Sequence, residues 1–273
     1  MVISTVERPR VVSQGEWLLA RKELLMREKQ LTRDRDEVAR QRRELPWVKV
    51  EKTYFFDGPN GRETLKDLFG GRTQLIVSHF MLGPGWGEGC VGCSFRSDHV
   101  DGCLAHLEHH DVSFVTISRA PLPEIEAFKQ RMGWKFRWLS SYGSDFNYDY
   151  HVSYREEEIA TGKVYYNYET RDFLSEELSG LSVFVKDEVG DIFHTYSTYG
   201  RGDELVDTTY MYLDLTPKGR NENGPNHNLA DWVRHHDRYD ADGFVDRRGR
   251  YVPETQTDSL CGCGKHESPR AKT

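Results

Sequence analysis

The sequence predicts an α/β fold: a central mixed sheet in three layers, a long helical arm ahead of it and a C-terminal extension behind. Three observations carry that prediction. Two apolar runs of strand length, Leu75–Met81 and Val112–Ile117, alternate with amphipathic stretches, the order of a parallel βαβα unit. Two further runs, Leu181–Lys186 and Asp191–Tyr196, flank Asp187-Glu188-Val189-Gly190 and predict a hairpin. Cys90 and Cys93 stand two residues apart where the first of these strands hands over to a helix.

The elements follow in order. Residues 14–45 read as one charged helix in which Trp17, Leu24, Leu31, Val38 and Leu45 recur every seven residues, with Leu18, Leu25 and Ala39 widening the stripe. Burial of such a stripe, more than propensity, holds a polar helix together. The stripe is therefore expected to pack on its own domain or on a second copy, a homodimer through residues 14–45. Pro46 ends the helix. Trp47–Phe56 alternates as a strand, Asp57–Gly61 is a turn, and Thr64–Phe69 is a short helical or extended piece. Ser94–His110 predicts one helix with Cys103, Leu104 and Leu107 on its apolar side. Pro121 suits the first turn of a helix to Met132 that turns Ile125 and Phe128 inward.

Residues 137–170 are rich in Tyr, Ser, Asp and Asn and show no clear period. Asp203–Leu213 predicts a final helix, and Thr216–Tyr239 a loop with a short helix around Trp232. Residues 240–273 lack apolar periodicity and read as a flexible tail carrying Cys261-Gly262-Cys263. The division is thus an arm (1–46), a domain (47–239) and a tail (240–273). A βαβα half followed by a ββα half, with the dithiol after a strand, is the thioredoxin-like arrangement.

Composition narrows the function classes. A chain of 273 residues, 37% hydrophobic and 30% charged, is long enough for one substantial core. Its net charge of −7 argues against nucleic acid as a partner, as do the acidic residues interleaved through the arm. No apolar run approaches the roughly 18 residues of a membrane helix. Met1–Arg10 has no signal-peptide core, and five cysteines do not form a secreted disulfide framework. A cytoplasmic location is expected, where a CxxC signals redox or metal chemistry.

The thiolate is the nucleophile in disulfide exchange, and a helix start offers free N–H groups that stabilise it. Cys90, at that start, is the expected attacking thiol and Cys93 the resolving one. The same pair could instead be half of a metal site, with Cys261, Cys263 and His266 of the tail completing a zinc or copper(I) set, or two inert core cysteines. A non-catalytic interaction protein is the third reading. A peroxidase would need one attacking cysteine with nearby Thr and Arg, which the sequence does not place. Gly83, Gly85, Gly87, Gly89 and Gly92 surround the pair and suit a tight loop.

Residues 16–36, 44–58, 75–95, 118–134, 140–150, 181–202 and 212–220 together resemble a largely bacterial, thioredoxin-like domain-of-unknown-function family whose members are described as dithiol–disulfide oxidoreductases. The stretches LIVSHFMLGPGWGEGCVGCSF and SSYGSDFNYDY are the most distinctive of these. The resemblance implies a thioredoxin-like fold, with Cys90 and Cys93 as the redox pair. One departure concerns the strand facing the dithiol. Thioredoxins place a proline before it, whereas Ser179-Gly180-Leu181-Ser182 has none, which puts thioredoxin-style docking of substrate backbone in doubt.

Further candidates for the site are His79 on the strand entering it, which reads first as a hydrogen-bonded core histidine, Trp86 as a roof or equally as core packing, Arg119 as an anion binder, and Tyr142, Asp145, Asn147 and Tyr196 as lining of a polar, aromatic pocket. Cys103 reads as a small buried apolar residue rather than a third redox thiol. Disulfide exchange requires no organic cofactor, so none is expected. The expected partners are a protein or small-molecule disulfide and a thiol electron donor.

Overall fold

The computed structural model describes residues 9–220, 222 and 232–254. Helix α1 (Gln14–Arg43) leads into β1 (Val48–Lys49), β2 (Phe55–Gly58), β3 (Gly61–Thr64) and β4 (Gln74–His79). Helices α2 (Val91–Ser97) and α3 (Leu104–His109), strand β5 (Val112–Ser118), helix α4 (Leu122–Met132) and strand β6 (Trp138–Ser140) follow. The chain continues through β7 (Lys163–Tyr166), β8 (Glu169–Asp172), β9 (Gly180–Lys186), β10 (Ile192–Tyr199), β11 (Gly243–Val245) and β12 (Tyr251–Pro253).

Eight strands form one sheet in the order β1-β10-β9-β4-β5-β6-β2-β3. β4, β5 and β6 run parallel, with His79 opposite Ile117 and Ser118 opposite Ser140. β9 lies antiparallel on the other side of β4 and turns back into β10. A parallel strand–helix–strand core with an antiparallel hairpin beside the strand that carries the dithiol is the thioredoxin-like fold.

Side-chain alternation divides the core between the sheet's faces. Phe80, Trp138 and the α4 residues Ile125, Phe128 and Met132 pack on one face, together with Cys90 and Cys93. Leu75, Val77, Val115, Ile117 and Leu139 point to the other face, against Phe56, Phe69 and Phe146. β4 is thus buried on both sides, which is why its sequence is a continuous apolar run.

Helix α1 is capped as its sequence allows: Ser13 Oγ accepts from the Glu16 N–H, and Glu16 accepts from the Ser13 N–H at 3.0 Å. No residue of α1 is buried, and Trp17 and Leu24 are each about half exposed.

Four expectations are corrected. Trp47–Phe56 is not one strand: β1 pairs with β10 at one edge of the sheet, while β2 pairs with β6 and β3 at the other. Ser94–His110 breaks into α2 and α3. The carboxylates of Asp98 and Asp101 between them bind the Trp134 indole and the N–H groups of Lys135 and Phe136, tying the break to the α4–β6 connection. Asp203–Leu213 divides into a 3-10 turn (Gly200–Val206) and a helix (Thr208–Leu213). The segment from 240 is not wholly a tail: β11 pairs with β12, and Val245 and Tyr251 pack with Val91, Phe95 and Tyr210. The expected helix around Trp232 falls largely outside the described residues, and Trp232 itself is a bend. Cys261, Cys263 and His266 also lie outside them.

Trp138 is almost fully buried, and its ring centroid lies 4.5 Å from that of Phe80. Trp138→Ala should cost about 3–5 kcal/mol, seen as a lower denaturant midpoint with an unchanged slope in a chemical unfolding experiment.

Candidate active site

The dithiol sits at the C-terminal end of β4, where the chain leaves the sheet and turns into α2. Two conformational demands shape this loop. Gly85 and Gly87 hold positive φ, of 75° and 71°. A Cβ at Gly89 would lie 2.4 Å from Phe80 and 2.8 Å from Phe128, so only glycine lets the loop lie against the aromatic cluster. Cys90 is the N-cap of α2, and its N–H donates to the Met81 carbonyl at 3.0 Å, fixing the loop's two ends together.

Both cysteines are free thiols and both are buried, at 6% and 5% exposure. The two thiols act on each other's ionisation. Hydrogen bonding by the Cys93 side chain is the largest influence lowering the Cys90 pKa, aided by the N–H groups of Cys93 and Gly92 and the charge of Arg96, against the opposing effect of burial. Cys93 is driven the other way, well above the ordinary thiol range, by the same hydrogen bond, by burial and by the negative charge on Cys90. The pair is therefore asymmetric: Cys90 gives up its proton more readily than Cys93.

Arg96 supplies the positive charge. It lies one helical turn after Cys93, with its side chain 10% exposed. Its guanidinium binds Asp203 at 2.7 Å and Asp207 at 2.9 Å, both carboxylates being nearly inaccessible. Burial raises Asp203 to about 6 despite Arg96. The sequence reasoning missed all three residues. The available signal was the spacing of Arg96 from Cys93; nothing local marked the two aspartates.

A second polar cluster lies beside the loop. Arg119, at the end of β5, binds the buried Glu177 through Nε at 2.6 Å and donates to the Tyr148 hydroxyl at 3.2 Å. Ser153 Oγ donates to the other Glu177 oxygen at 2.5 Å, and desolvation raises Glu177 to about 7. Arg119 is thus already occupied by a carboxylate. Trp86 packs against the core cluster that contains both cysteines, and its Nε1–H donates to Glu176 at 3.1 Å.

The remaining candidates do not converge on the dithiol. His79 points to the opposite face of the sheet, stacked on Phe146 and Tyr150 and bonded to Ser182 Oγ at 2.8 Å. Burial lowers its pKa to about 3, so it stays neutral. Asn147 is buried and accepts from Ser141 Oγ, a structural role in the 140–150 turn. Asp145 pairs with Lys52 and Arg155, and Tyr142 is mostly exposed. Tyr196 lies on β10 beneath Arg42 of the arm. The polar, aromatic segment does reach a cleft of about 470 Å³ through Asp149 and Tyr150, with Lys52, Tyr54, His194 and Tyr199, away from the cysteines. Cys103 is exposed rather than buried as expected. Among the described residues no three His, Cys, Asp or Glu side chains gather as a metal set, and the proposed contributors Cys261 and Cys263 lie outside those residues. No described helix is long and apolar enough to cross a membrane.

A family model described as "Bacterial protein of unknown function (DUF899)" matches residues 6–239. No curated protein matches the chain. Among solved structures, a PrxQ mutant from Xylella fastidiosa overlaps with a TM-score of 0.38 and 11% identity, over 61% of this chain and 95% of that one. A Xanthomonas campestris peroxiredoxin Q gives 0.39 and 11%, over 62% and 97%. A Chlorobium tepidum protein described as a candidate thiol:disulfide interchange protein, DsbE, gives 0.38 and 12%, over 64% and 99%. The fold assignment rests on the strand order above and not on these overlaps.

Two outcomes follow from the asymmetric pair. Thiolate ultraviolet absorbance should rise through a first midpoint below the ordinary cysteine value of about 8.5, because a lowered pKa places the thiolate at lower pH. Arg96→Met should move that midpoint up and cost about 3–5 kcal/mol of stability, since it strands Asp203 and Asp207 in the interior; the same titration and a denaturant melt measure both effects.

Proposed function

The chain belongs to the DUF899 family, and on that footing we propose that it is a thiol–disulfide oxidoreductase working through Cys90 and Cys93. The observation that carries this reading is the placement of two free thiols at the N-cap and in the first turn of α2, where each moves the other's pKa in the opposite direction.

The reaction proceeds by two exchanges. The Cys90 thiolate attacks one sulfur of a substrate disulfide. The substrate S–S bond breaks, a Cys90–substrate disulfide forms, and the departing thiolate takes up a proton. Once Cys90 is tied up in the mixed disulfide, its hydrogen bonding and its negative charge no longer hold the proton on Cys93. Cys93 then gives up that proton and attacks the Cys90 sulfur, closing the Cys90–Cys93 disulfide and releasing the second substrate thiol. Two electrons have passed from the dithiol to the substrate. A thiol or dithiol donor restores the reduced pair by the reverse exchange, and with a more oxidising partner the same steps run as an oxidase. Arg96 holds the charge in place and does not touch the reacting bond. The substrate class is a protein or small-molecule disulfide, and the reaction uses no organic cofactor.

Cys90→Ser should lower disulfide turnover at least about 10³-fold. Cys93→Ser should leave the first exchange intact and accumulate a covalent Cys90–substrate adduct, seen as a mass increase that dithiothreitol removes. A Cys93→Ser protein that turns over like wild type would show the two-cysteine mechanism to be wrong.

A further inference from the structure

The segment following Trp232 returns across the dithiol and closes over it. Its base is well anchored. His235 is fully buried; its Nδ1 accepts from Arg131, and its Nε2–H donates to the Gly89 carbonyl at 2.8 Å. Arg238 binds Glu88 at 2.5 Å. Val245 and Tyr251, at the two strand ends that flank the turn, pack on the apolar side of α2.

The tip is built differently. Residues 246–250 form a self-contained turn: Asp246 Oδ1 accepts from the N–H groups of both Arg248 and Arg250, each at 2.9 Å, and the Gly249 N–H donates to the Asp246 carbonyl. The turn rests on the site through few contacts. The Val91 N–H donates to the Gly249 carbonyl at 2.8 Å, Arg250 lies over Trp86 at 5.4 Å, and Arg248 reaches Glu176 at 3.6 Å. Gly249 has a φ of 78°, and a Cβ there would stand 2.8 Å from Cys90 Sγ. The backbone of Gly249 therefore fills the space through which a disulfide would have to approach Cys90. The matched family stretch ends at residue 239, so this cover lies beyond it.

We propose that the 246–250 turn is an access gate for Cys90, lifting as a unit from a base that stays in place, and that it selects which disulfides reach the sulfur. The proposal rests on Cys90 being the attacking thiol. A stiff turn held by one backbone hydrogen bond and half-exposed arginines opens more readily than the apolar base beneath it. The observed reactivity of Cys90 is then its intrinsic reactivity multiplied by the open fraction. In the closed form Cys90 is acidified but covered, which reconciles a lowered pKa with a 6% exposed residue.

The test is the rate at which iodoacetamide alkylates Cys90 in the folded, full-length protein across pH, read by peptide mass spectrometry. Exposed Cys103 serves as the internal reference. Gly249→Ala forces the turn off the sulfur, and Asp246→Ala dissolves the turn without adding an atom near Cys90. Each should raise the high-pH plateau of the Cys90 rate about tenfold or more, while the pH midpoint and the Cys103 rate hold. A plateau unchanged in both variants, or a wild-type Cys90 already as fast as Cys103, overturns the gate. That result would leave disulfide chemistry intact, because trapping by Cys93→Ser is measured separately and fails only if the proposed function fails.

Discussion

The mutual influence of the Cys90 and Cys93 thiols, with Arg96 one turn further on, is the interaction on which the rest of this structure converges. Burying a thiolate is costly in itself. Here burial opposes the charge on Cys90, and the Cys93 thiol, two N–H groups and a guanidinium together outweigh it. Burial also strengthens each of those favourable interactions, because no water screens them. The dithiol and its setting are thus one arrangement, in which the neighbouring thiol, two N–H groups and a guanidinium offset the cost of burial.

That arrangement draws on distant parts of the chain. Arg96 can be buried only because Asp203 and Asp207, from the segment after the β9–β10 hairpin, neutralise it. The dithiol loop is fixed against the sheet by the Cys90–Met81 bond and by Gly89 fitting under Phe80 and Phe128. The returning segment after Trp232 closes the remaining side through His235 and Gly249. The sheet supplies a rigid edge, and three separate segments supply charge, shape and cover.

Much of this fold is legible in the sequence because its signals are local. β4 and β5 are buried on both faces and read as apolar runs; the β9–β10 hairpin is marked by its turn; Cys90 and Cys93 announce themselves by spacing. What was not legible depends on partners remote in sequence. Nothing within Trp47–Phe56 shows that its two ends pair with opposite edges of the sheet. Arg96 resembles any surface arginine until Asp207, 111 residues away, is seen against it. β11 and β12 have three residues each, too few for periodicity to register. Gly249 acts through its carbonyl and its lack of a side chain, and the sequence shows only the latter. His79 is the hydrogen-bonded core histidine that its place on a buried strand favours, because alternation along β4 turns it away from the face that carries the cysteines.

The central claim is that the two sulfurs form one reversible redox couple. Equilibrating the full-length protein in glutathione buffers of graded potential, and counting the fraction that loses two hydrogens by intact mass, measures this directly. The account predicts a single two-electron transition assigned to Cys90–Cys93, with a midpoint in the range of roughly −270 to −120 mV spanned by thiol–disulfide exchange proteins. Cysteines that remain reduced across the whole series, or that oxidise only through Cys103 or between chains, would contradict it.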